Sequence, residues 1–215
     1  RHEQTVDRIH SLLERLQEII AQPCVMGDRV FYLSASCGIA YYPRHGKDYH
    51  ELLRNVDAAM YKAKAQGKDR FVFFSHDMQQ ALRDRLEILQ DLRSGLERDE
   101  LVLHYQPQVD AASGKTVGYE ALARWQHPVR GLLYPDSFIP AAEEGGLITK
   151  LGDAVLEEAC RFANRLRAAG IKGRTLSVNV SAVQLQQGDF VDKVTACLKR
   201  HAVSKGSIML ELTES

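Results

Sequence analysis

The stretch Thr116–Gln126 reads T-V-G-Y-E-A-L-A-R-W-Q, and it decides how the rest of the chain is interpreted. Apolar residues alternate along it, which predicts a strand, and Gly118 would let another backbone approach closely. Glu120 in the middle and Arg124 near the end do not fit a buried strand. A buried carboxylate has to be paired, protonated or bound to a metal ion, because losing its water costs several kcal/mol. An exposed Glu120–Arg124 ion pair is the plain alternative.

Two later segments also place one polar side chain in an apolar strand. Asn179 lies within T-L-S-V-N-V-S-A at 175–182, and Glu211 lies within I-M-L-E-L-T-E at 208–214. Helical patterns separate the three strands, which predicts parallel βα units, and a (β/α) barrel assembles its active site at the carboxyl ends of its strands. Glu120, Asn179 and Glu211 offer only oxygen ligands, a set that suits Mg²⁺ or Mn²⁺ better than Zn²⁺. The pattern therefore predicts a metal site.

The residues around Glu120 resemble the signature of the EAL domain, the family of cyclic di-GMP phosphodiesterases. The tripeptide E-A-L starts at Glu120 and A-R-W follows it. Further matching segments occur in the family's order over residues 82–215, and they are Leu103–Pro107, Phe138–Glu144, Asn179–Ser181 and Glu211–Glu214. The resemblance implies an α/β fold with part of a (β/α)8 barrel similar to a TIM barrel. It also implies a metal-dependent enzyme that hydrolyses cyclic di-GMP to linear pGpG in bacterial signalling.

The same resemblance implies which residues carry the reaction. The family's metal ligands, whose carboxylates are the catalytic residues, correspond to Glu120, Asn179 and Glu211. Arg124 matches an arginine that holds a substrate phosphate, a role that suits a guanidinium because it can bind bidentately. Gln106 and Leu122 match positions that line the ligand groove. Glu214 matches a glutamate that positions a neighbouring loop.

The first part of the chain has a different pattern. Its predicted elements are a helix over His2–Ala21, two antiparallel strands around Gly27-Asp28 within Val25–Ala40, a helix over Asp48–Gln66 and a strand over Arg70–Phe74. The segments at 33–40, 57–64 and 67–70 are similar to the C-terminal half of the α+β GGDEF diguanylate cyclase domain. In that family the residues in the places of Lys64 and Lys68 lie near the GTP phosphates, so GTP is an implied partner. A solvated basic helix face is the alternative for these lysines.

The boundary between the two modules is predicted near residue 78. Residues 1–78 would form the C-terminal part of the GGDEF domain, and residues 79–215 the N-terminal part of the EAL domain. Leucines at helical spacing predict that the junction is a helix. The further predicted elements are a strand over Leu101–Val109 antiparallel to the Glu120 strand, a helix capped by Asp136 or Ser137, and helices over Asp153–Ala169 and Phe190–His201.

The chain is expected to be a piece of a longer parent protein. In such proteins the G-G-D-E-F loop would precede Arg1, and the later motifs of the EAL family would follow Ser215. We therefore expect the 215-residue piece itself not to hydrolyse cyclic di-GMP, whereas the parent is expected to be active. A non-catalytic cyclic di-GMP receptor and a bifunctional cyclase–phosphodiesterase are the alternatives that stay open.

Composition excludes several other classes of function. The chain has 28 basic and 28 acidic residues, which gives no general case for binding a nucleic acid polymer or a membrane surface. No stretch approaches the about 20 apolar residues of a membrane span. This region is expected in the cytoplasm, with anchoring of the parent through a missing N-terminus left open. A homodimer is implied only by analogy with EAL enzymes. The cysteines are Cys24, Cys37, Cys160 and Cys197. They lack metal-binding spacing, so they are expected to be reduced thiols and not a metal site.

Overall fold

The computed structural model describes residues 2–171 and 173–213, without the side chains of residues 2–7 and 213. Backbone contacts divide the chain into two compact units, one ending at Asp84 and the other starting at Arg85. The predicted module boundary near residue 78 stays a prediction. Among the described residues, no helix has the length and the apolar character that crossing a membrane requires.

The first unit contains a hairpin and a small parallel sheet. Its elements are α1 (His2–Ile20), β1 (Cys24–Met26), β2 (Arg29–Phe31), β3 (Cys37–Ile39), α2 (Tyr49–Ala65) and β4 (Phe71–Phe73). β1 and β2 pair antiparallel, whereas β3 and β4 pair parallel, with α2 between them in the chain. A side chain at Gly38 in β3 would collide with the carbonyl oxygen of Val56 and the amide of Met60. This glycine therefore lets α2 pack directly against the sheet.

The predicted hairpin around Gly27 is confirmed, but its second strand is shorter than expected. β2 ends at Phe31, and Cys37–Ile39 belongs to the other sheet as β3. The amide of Cys37 donates a 2.9 Å hydrogen bond to the carbonyl of Arg70, which begins this second pairing. An alternating pattern predicts extended backbone but does not show which strand it pairs with. The second predicted strand of the hairpin is therefore two strands, β2 and β3, in different sheets.

The second unit is a sheet covered by helices on one face. α3 (His76–Glu97) begins in the first unit and ends in the second. The elements that follow are β5 (Leu101–Val109), β6 (Thr116–His127), β7 (Gly131–Leu133), α4 (Pro135–Glu144), α5 (Ile148–Ala168), β8 (Thr175–Ser181), α6 (Ala182–Leu185), α7 (Phe190–Arg200) and β9 (Ile208–Thr213).

The sheet has the order β5-β6-β8-β9, with β7 paired to β6. β5 and β6 run antiparallel, and β6, β8 and β9 run parallel, both as predicted. A Cβ atom at Gly118 would lie 2.7 Å from the carbonyl oxygen of Thr175, so the predicted close backbone approach at this glycine is confirmed. The βα units and the parallel pairing are those of part of a (β/α) barrel.

The core of the second unit lies between the sheet and α3, α4 and α5. Its fully buried large side chains include Leu92, Trp125, Phe138 and Leu176. The indole Nε1 of Trp125 donates a 3.0 Å hydrogen bond to Glu100, so this buried polar atom has an acceptor. Helices cover this face of the sheet, and the polar residues predicted for the site alternate with the core residues along the strands.

Two predicted helix starts are wrong. α4 begins at Pro135 after Tyr134, and no side-chain hydrogen bond caps it, so neither Asp136 nor Ser137 is its N-cap. Proline at the first helical position has a suitable φ and no amide hydrogen that needs a partner, which moves the start ahead of both. α5 begins at Ile148, ahead of the predicted start at Asp153, because Ile148 and Leu151 are buried in the same core as its later residues.

Candidate active site

Strand register places the predicted site residues on one face of the sheet. Glu120 in β6 lies opposite Gln106 in β5 and Ser177 in β8. Asn179 lies two residues beyond Ser177 and pairs with Glu211 in β9. Side chains alternate between the faces of a strand, so residues two apart share a face. The predicted positions that share the face of Glu120 are Gln106, Leu122, Arg124, Asn179 and Glu211.

The three predicted metal ligands are neighbours. The amide Nδ2 of Asn179 donates a 2.8 Å hydrogen bond to Oε1 of Glu120. Glu211 lies beside Asn179 on the next parallel strand, at the usual strand spacing of about 4.8 Å. The atom of Asn179 that would act as a metal ligand is the side-chain oxygen of the same amide. Two carboxylates and one amide oxygen form a donor set that fits a hard divalent cation.

Glu120 lies near the end of the parallel pairing, although β6 itself continues further. β6 pairs with β8 only from Gly118 to Ala121, and its later residues pair with β5 and β7. Asn179 and Glu211 lie in the carboxyl-terminal halves of β8 and β9. The three ligands therefore lie towards the strand ends where a (β/α) barrel places its active site.

Arg124 does not pair with Glu120. Its Nη1 donates a 2.7 Å hydrogen bond to the carbonyl of Ala123, and its guanidinium lies 4.7 Å from the centre of the Tyr134 ring. Within the described part of the chain, Glu120 and Arg124 form no ion pair, so the alternative of an exposed pair on this strand is wrong. Stacking on Tyr134 holds the guanidinium by a cation–π contact and leaves donors on its other edge.

An open cleft of about 360 Å³ lies beside Asn179 and is lined by residues of β6, β8, α4 and α5. Leu122 lines it, as expected for a position in a ligand groove. The hydroxyl of Ser181 donates a 2.5 Å hydrogen bond to Glu143 of α4, and Ser181 also caps α6. This contact fixes the wall of the cleft next to Asn179.

Two residues of this region were missed by sequence reasoning. Ser177 is completely buried beside Glu120, and its hydroxyl has no hydrogen-bond partner among the described residues. It interrupts an apolar strand as Asn179 does, which is the signal that could have found it. Tyr134 carried no such signal, because it lies in a loop and meets Arg124 only in the folded chain.

The remaining predicted residues lie elsewhere. Lys64 is exposed in the last turn of α2, and Lys68 is exposed two residues after its C-cap, with a φ of 62°. Cations at a helix C-terminus also interact favourably with the helix dipole, so their position alone does not require a ligand. Glu214, predicted to position a loop, lies outside the described residues.

The fold is a partial (β/α) barrel that brings an all-oxygen set of side chains together at its strand ends. Comparison with known families agrees, because the EAL domain matches residues 89–215 and the diguanylate cyclase GGDEF domain matches residues 1–70. The chain belongs to the EAL family, with a GGDEF segment ahead of the EAL domain.

Related proteins align with nearly the whole chain. Over 205 residues the chain is 44% identical to the bifunctional diguanylate cyclase/cyclic di-GMP phosphodiesterase MucR of Pseudomonas aeruginosa, covering 95% of this chain and 30% of MucR. Over 205 residues it is 37% identical to the cyclic di-GMP phosphodiesterase NbdA of the same organism, covering 95% of this chain and 26% of NbdA. The chain thus spans less than a third of the length of these relatives.

A solved structure, the MucR phosphodiesterase in complex with cyclic di-GMP, matches the chain with a TM-score of 0.56 and 47% identity. The match covers 60% of this chain and 52% of that structure. The similarity of both sequence and fold confirms that the second part of the chain is a portion of an EAL-type, TIM-like barrel. The GGDEF and EAL assignments expected from the sequence are therefore confirmed.

Proposed function

We propose that the intact protein hydrolyses one phosphodiester bond of cyclic di-GMP to give linear pGpG. The observation that carries the proposal is the convergence of Glu120, Asn179 and Glu211 on one face of the sheet, with Glu120 and Asn179 joined by a hydrogen bond. Two curated relatives carry cyclic di-GMP phosphodiesterase in their names, which supports this choice of substrate.

We infer that Glu120 and Glu211 hold Mg²⁺ or Mn²⁺ together with the amide oxygen of Asn179. Such an ion, when bound, would polarise a phosphoryl oxygen and lower the pKa of a water molecule that it holds. The two carboxylates fix the charge of the site, and the bond from Asn179 fixes the orientation of Glu120. The backbone of the three strands would move little when a cation binds, since their register already holds the three side chains side by side.

The neighbouring residues would bind and orient the dinucleotide. Arg124 offers guanidinium donors to a phosphate, and the ring of Tyr134 restricts the orientations that this side chain can adopt. Gln106 lies across the strand pair from Glu120 and would contact the substrate beside the metal ligands. Leu122 contributes an apolar wall of the cleft. Water then attacks phosphorus in line with the leaving ribose oxygen, which takes up a proton as the ester bond breaks.

Hydrolysis by the intact protein tests the proposal. Native protein and a Glu120→Ala variant are incubated with cyclic di-GMP and Mg²⁺ or Mn²⁺, and pGpG is quantified. The control is Val117→Thr, an exposed residue of the same strand that points to the opposite face. We expect turnover in the native protein and the control, and none in Glu120→Ala. Binding without turnover in the native protein would contradict the proposal and identify a receptor.

A second activity is supported by the first part of the chain. Its match to the GGDEF domain and the description of MucR as bifunctional favour GTP as a substrate of the parent protein. Lys64 and Lys68 would then lie near the phosphates of GTP. Formation of cyclic di-GMP from GTP by the intact protein, reduced in Lys64→Ala, tests this role. The cytoplasmic location, the homodimer and the loop-positioning role of Glu214 stay predictions.

A further inference from the structure

A second group of metal-binding side chains lies between α5 and α7, apart from the residues of the candidate active site. Glu157 and Cys160 are three residues apart on α5, and Cys197 on α7 lies four residues before His201, the C-cap residue of that helix. Side chains at these spacings share one face of a helix. Each helix therefore presents two potential ligands to the same space.

The distances within this cluster are close to those of a bound metal. Sγ of Cys160 lies 3.7 Å from Sγ of Cys197. Tetrahedral zinc, with Zn–S bonds of about 2.3 Å, separates two sulfur ligands by about 3.8 Å. The ligand atoms of Glu157, Cys197 and His201 lie within 4.8 Å of one another, and Nε2 of His201 lies 2.5 Å from Oε2 of Glu157. The last pair must open by about 1 Å to share one ion. Cys160 lies outside this group of three, so its thiol must also turn towards Glu157 and His201 to complete the ligand set.

The surroundings of the cluster hold its ligands in place. Asn164 of α5 donates a 2.6 Å hydrogen bond to the carbonyl of His201, which fixes the end of α7. Arg200 pairs with Oε1 of Glu157 and leaves Oε2 directed at His201. Hydrogen bonds of this kind to ligating carboxylates are typical of metal sites. Both sulfurs are buried, packed with apolar side chains of α5 and α7 that limit the access of water.

We propose that Glu157, Cys160, Cys197 and His201 bind one Zn²⁺ ion. Thiolate and imidazole ligands select zinc over magnesium and manganese, in contrast to the all-oxygen set at Glu120. Four protein ligands leave no open position, so the ion has a structural role and joins α7 to α5. Binding releases the two thiol protons to solvent, and His201 coordinates as the neutral imidazole. This proposal reverses the sequence-based expectation that the cysteines form no metal site.

Cobalt absorption spectroscopy tests the proposal without relying on enzyme activity. The full chain is reduced, stripped of metal with a chelator and titrated with Co²⁺ in the presence of excess Mg²⁺. We expect one equivalent of Co²⁺ to produce thiolate-to-cobalt charge-transfer absorption together with the visible bands of a tetrahedral site. Zn²⁺ should then abolish both signals by displacement. The carboxylates and amide near Glu120 cannot produce the thiolate signal.

Variants assign the signal to this cluster. Cys197→Ser should lower the thiolate absorption by about half or more, because Cys160 is then the one thiolate ligand left, whereas Cys37→Ser and Glu120→Gln should retain it in full. His201→Gln changes a side chain that is 18% exposed and should weaken Co²⁺ binding by about tenfold or more while circular dichroism stays native. This variant decides the matter if Cys197→Ser does not fold.

Three outcomes would overturn the proposal. The first is the absence of thiolate absorption in the reduced native chain. The second is a variant that behaves like the native chain, either Cys197→Ser with the same cobalt absorption spectrum or His201→Gln with the same affinity for Co²⁺. The third is loss of the signal in Cys37→Ser, which would assign the bound ion to a thiol outside the cluster.

Discussion

Glu120 shows how a single carboxylate can be kept in the middle of a sheet. The neighbouring strands place Gln106 on one side and Ser177 on the other, and Asn179 donates a hydrogen bond to one of its oxygens. A carboxylate that accepts such a bond keeps its charge at lower cost than an unpaired one. The remaining carboxylate oxygen stays available for a cation, which links the strand geometry to the proposed chemistry.

Replacing Asn179 with aspartate tests this arrangement at the residue scale. Asn179→Asp removes the amide donor and places a second carboxylate next to Glu120. Because like charges at this distance repel, we expect the variant to lose about 1–2 kcal/mol of stability when divalent cations are chelated. Mn²⁺ should raise its melting temperature by more than that of the native protein. Thermal unfolding with chelator and with Mn²⁺ measures both effects, and equal stability of the two proteins in chelator would contradict the prediction.

Arg124 gives a second prediction at the residue scale. Arg124→Lys keeps the positive charge but loses the planar donors and weakens the stacking on Tyr134. We expect cyclic di-GMP to bind about tenfold more weakly, a difference of about 1.4 kcal/mol. Calorimetric titration of the intact protein in chelator, where turnover stops, measures the affinity. Arg93→Lys, an exposed arginine of α3, is the matched control, and unchanged affinity in Arg124→Lys would exclude a phosphate contact.

At the scale of elements, the contact between β6 and β8 sets the distance between Glu120 and Asn179. Gly118 is the point of closest approach, with the carbonyl oxygen of Thr175 where a Cβ atom would lie. A larger residue here would push the two parallel strands apart within two residues of Glu120. The positions of the proposed metal ligands therefore depend on a glycine that contributes no chemistry of its own.

Gly118→Ala tests this dependence. The added methyl group is 2.7 Å from the Thr175 carbonyl, so we expect a loss of about 1–3 kcal/mol in the free energy of unfolding and reduced hydrolysis in the intact protein. Gly188→Ala is the control, because no atom lies within 4 Å of its added Cβ. Urea denaturation measures the stability of both variants. A Gly118→Ala protein as stable and active as Gly188→Ala would show that the strands can move apart without consequence.

The packing of α5 against α7 also affects chemistry. Burial raises the pKa of the Cys160 thiol to about 12 and raises the pKa of Cys197 as well. At neutral pH and without a cation, both thiols stay protonated and behave as small apolar side chains. The same burial protects them from oxidation, since the thiolate is the reactive form.

At the scale of the whole molecule, the features that could be predicted from the sequence are those marked by a pattern among residues close together in the chain. A single polar residue in an apolar strand marked Glu120, Asn179 and Glu211, and helical spacing between the strands predicted their parallel order. Both follow from strand and helix periodicity, which is local in sequence.

The features that the sequence did not predict depend on contacts between distant residues. Tyr134 meets Arg124, and Ser181 meets Glu143, only because α4 and its preceding loop pack beside the sheet. The partner of β3 could not be predicted either, since any exposed strand edge offers the same hydrogen-bonding groups. Cys160 and Cys197 are 37 residues apart in the chain, and only the facing of two helices brings them together.

Whether Glu120 holds a divalent cation is tested most directly by the affinity of the intact protein for Mn²⁺. Glu120→Gln keeps an oxygen that accepts the hydrogen bond of Asn179 and removes only the charge. We expect Mn²⁺ affinity to fall at least about tenfold in Glu120→Gln, since a charged ligand is lost, and to be unchanged in Val117→Thr. Equal Mn²⁺ affinity in Glu120→Gln and the native protein would contradict a metal site at these strand ends.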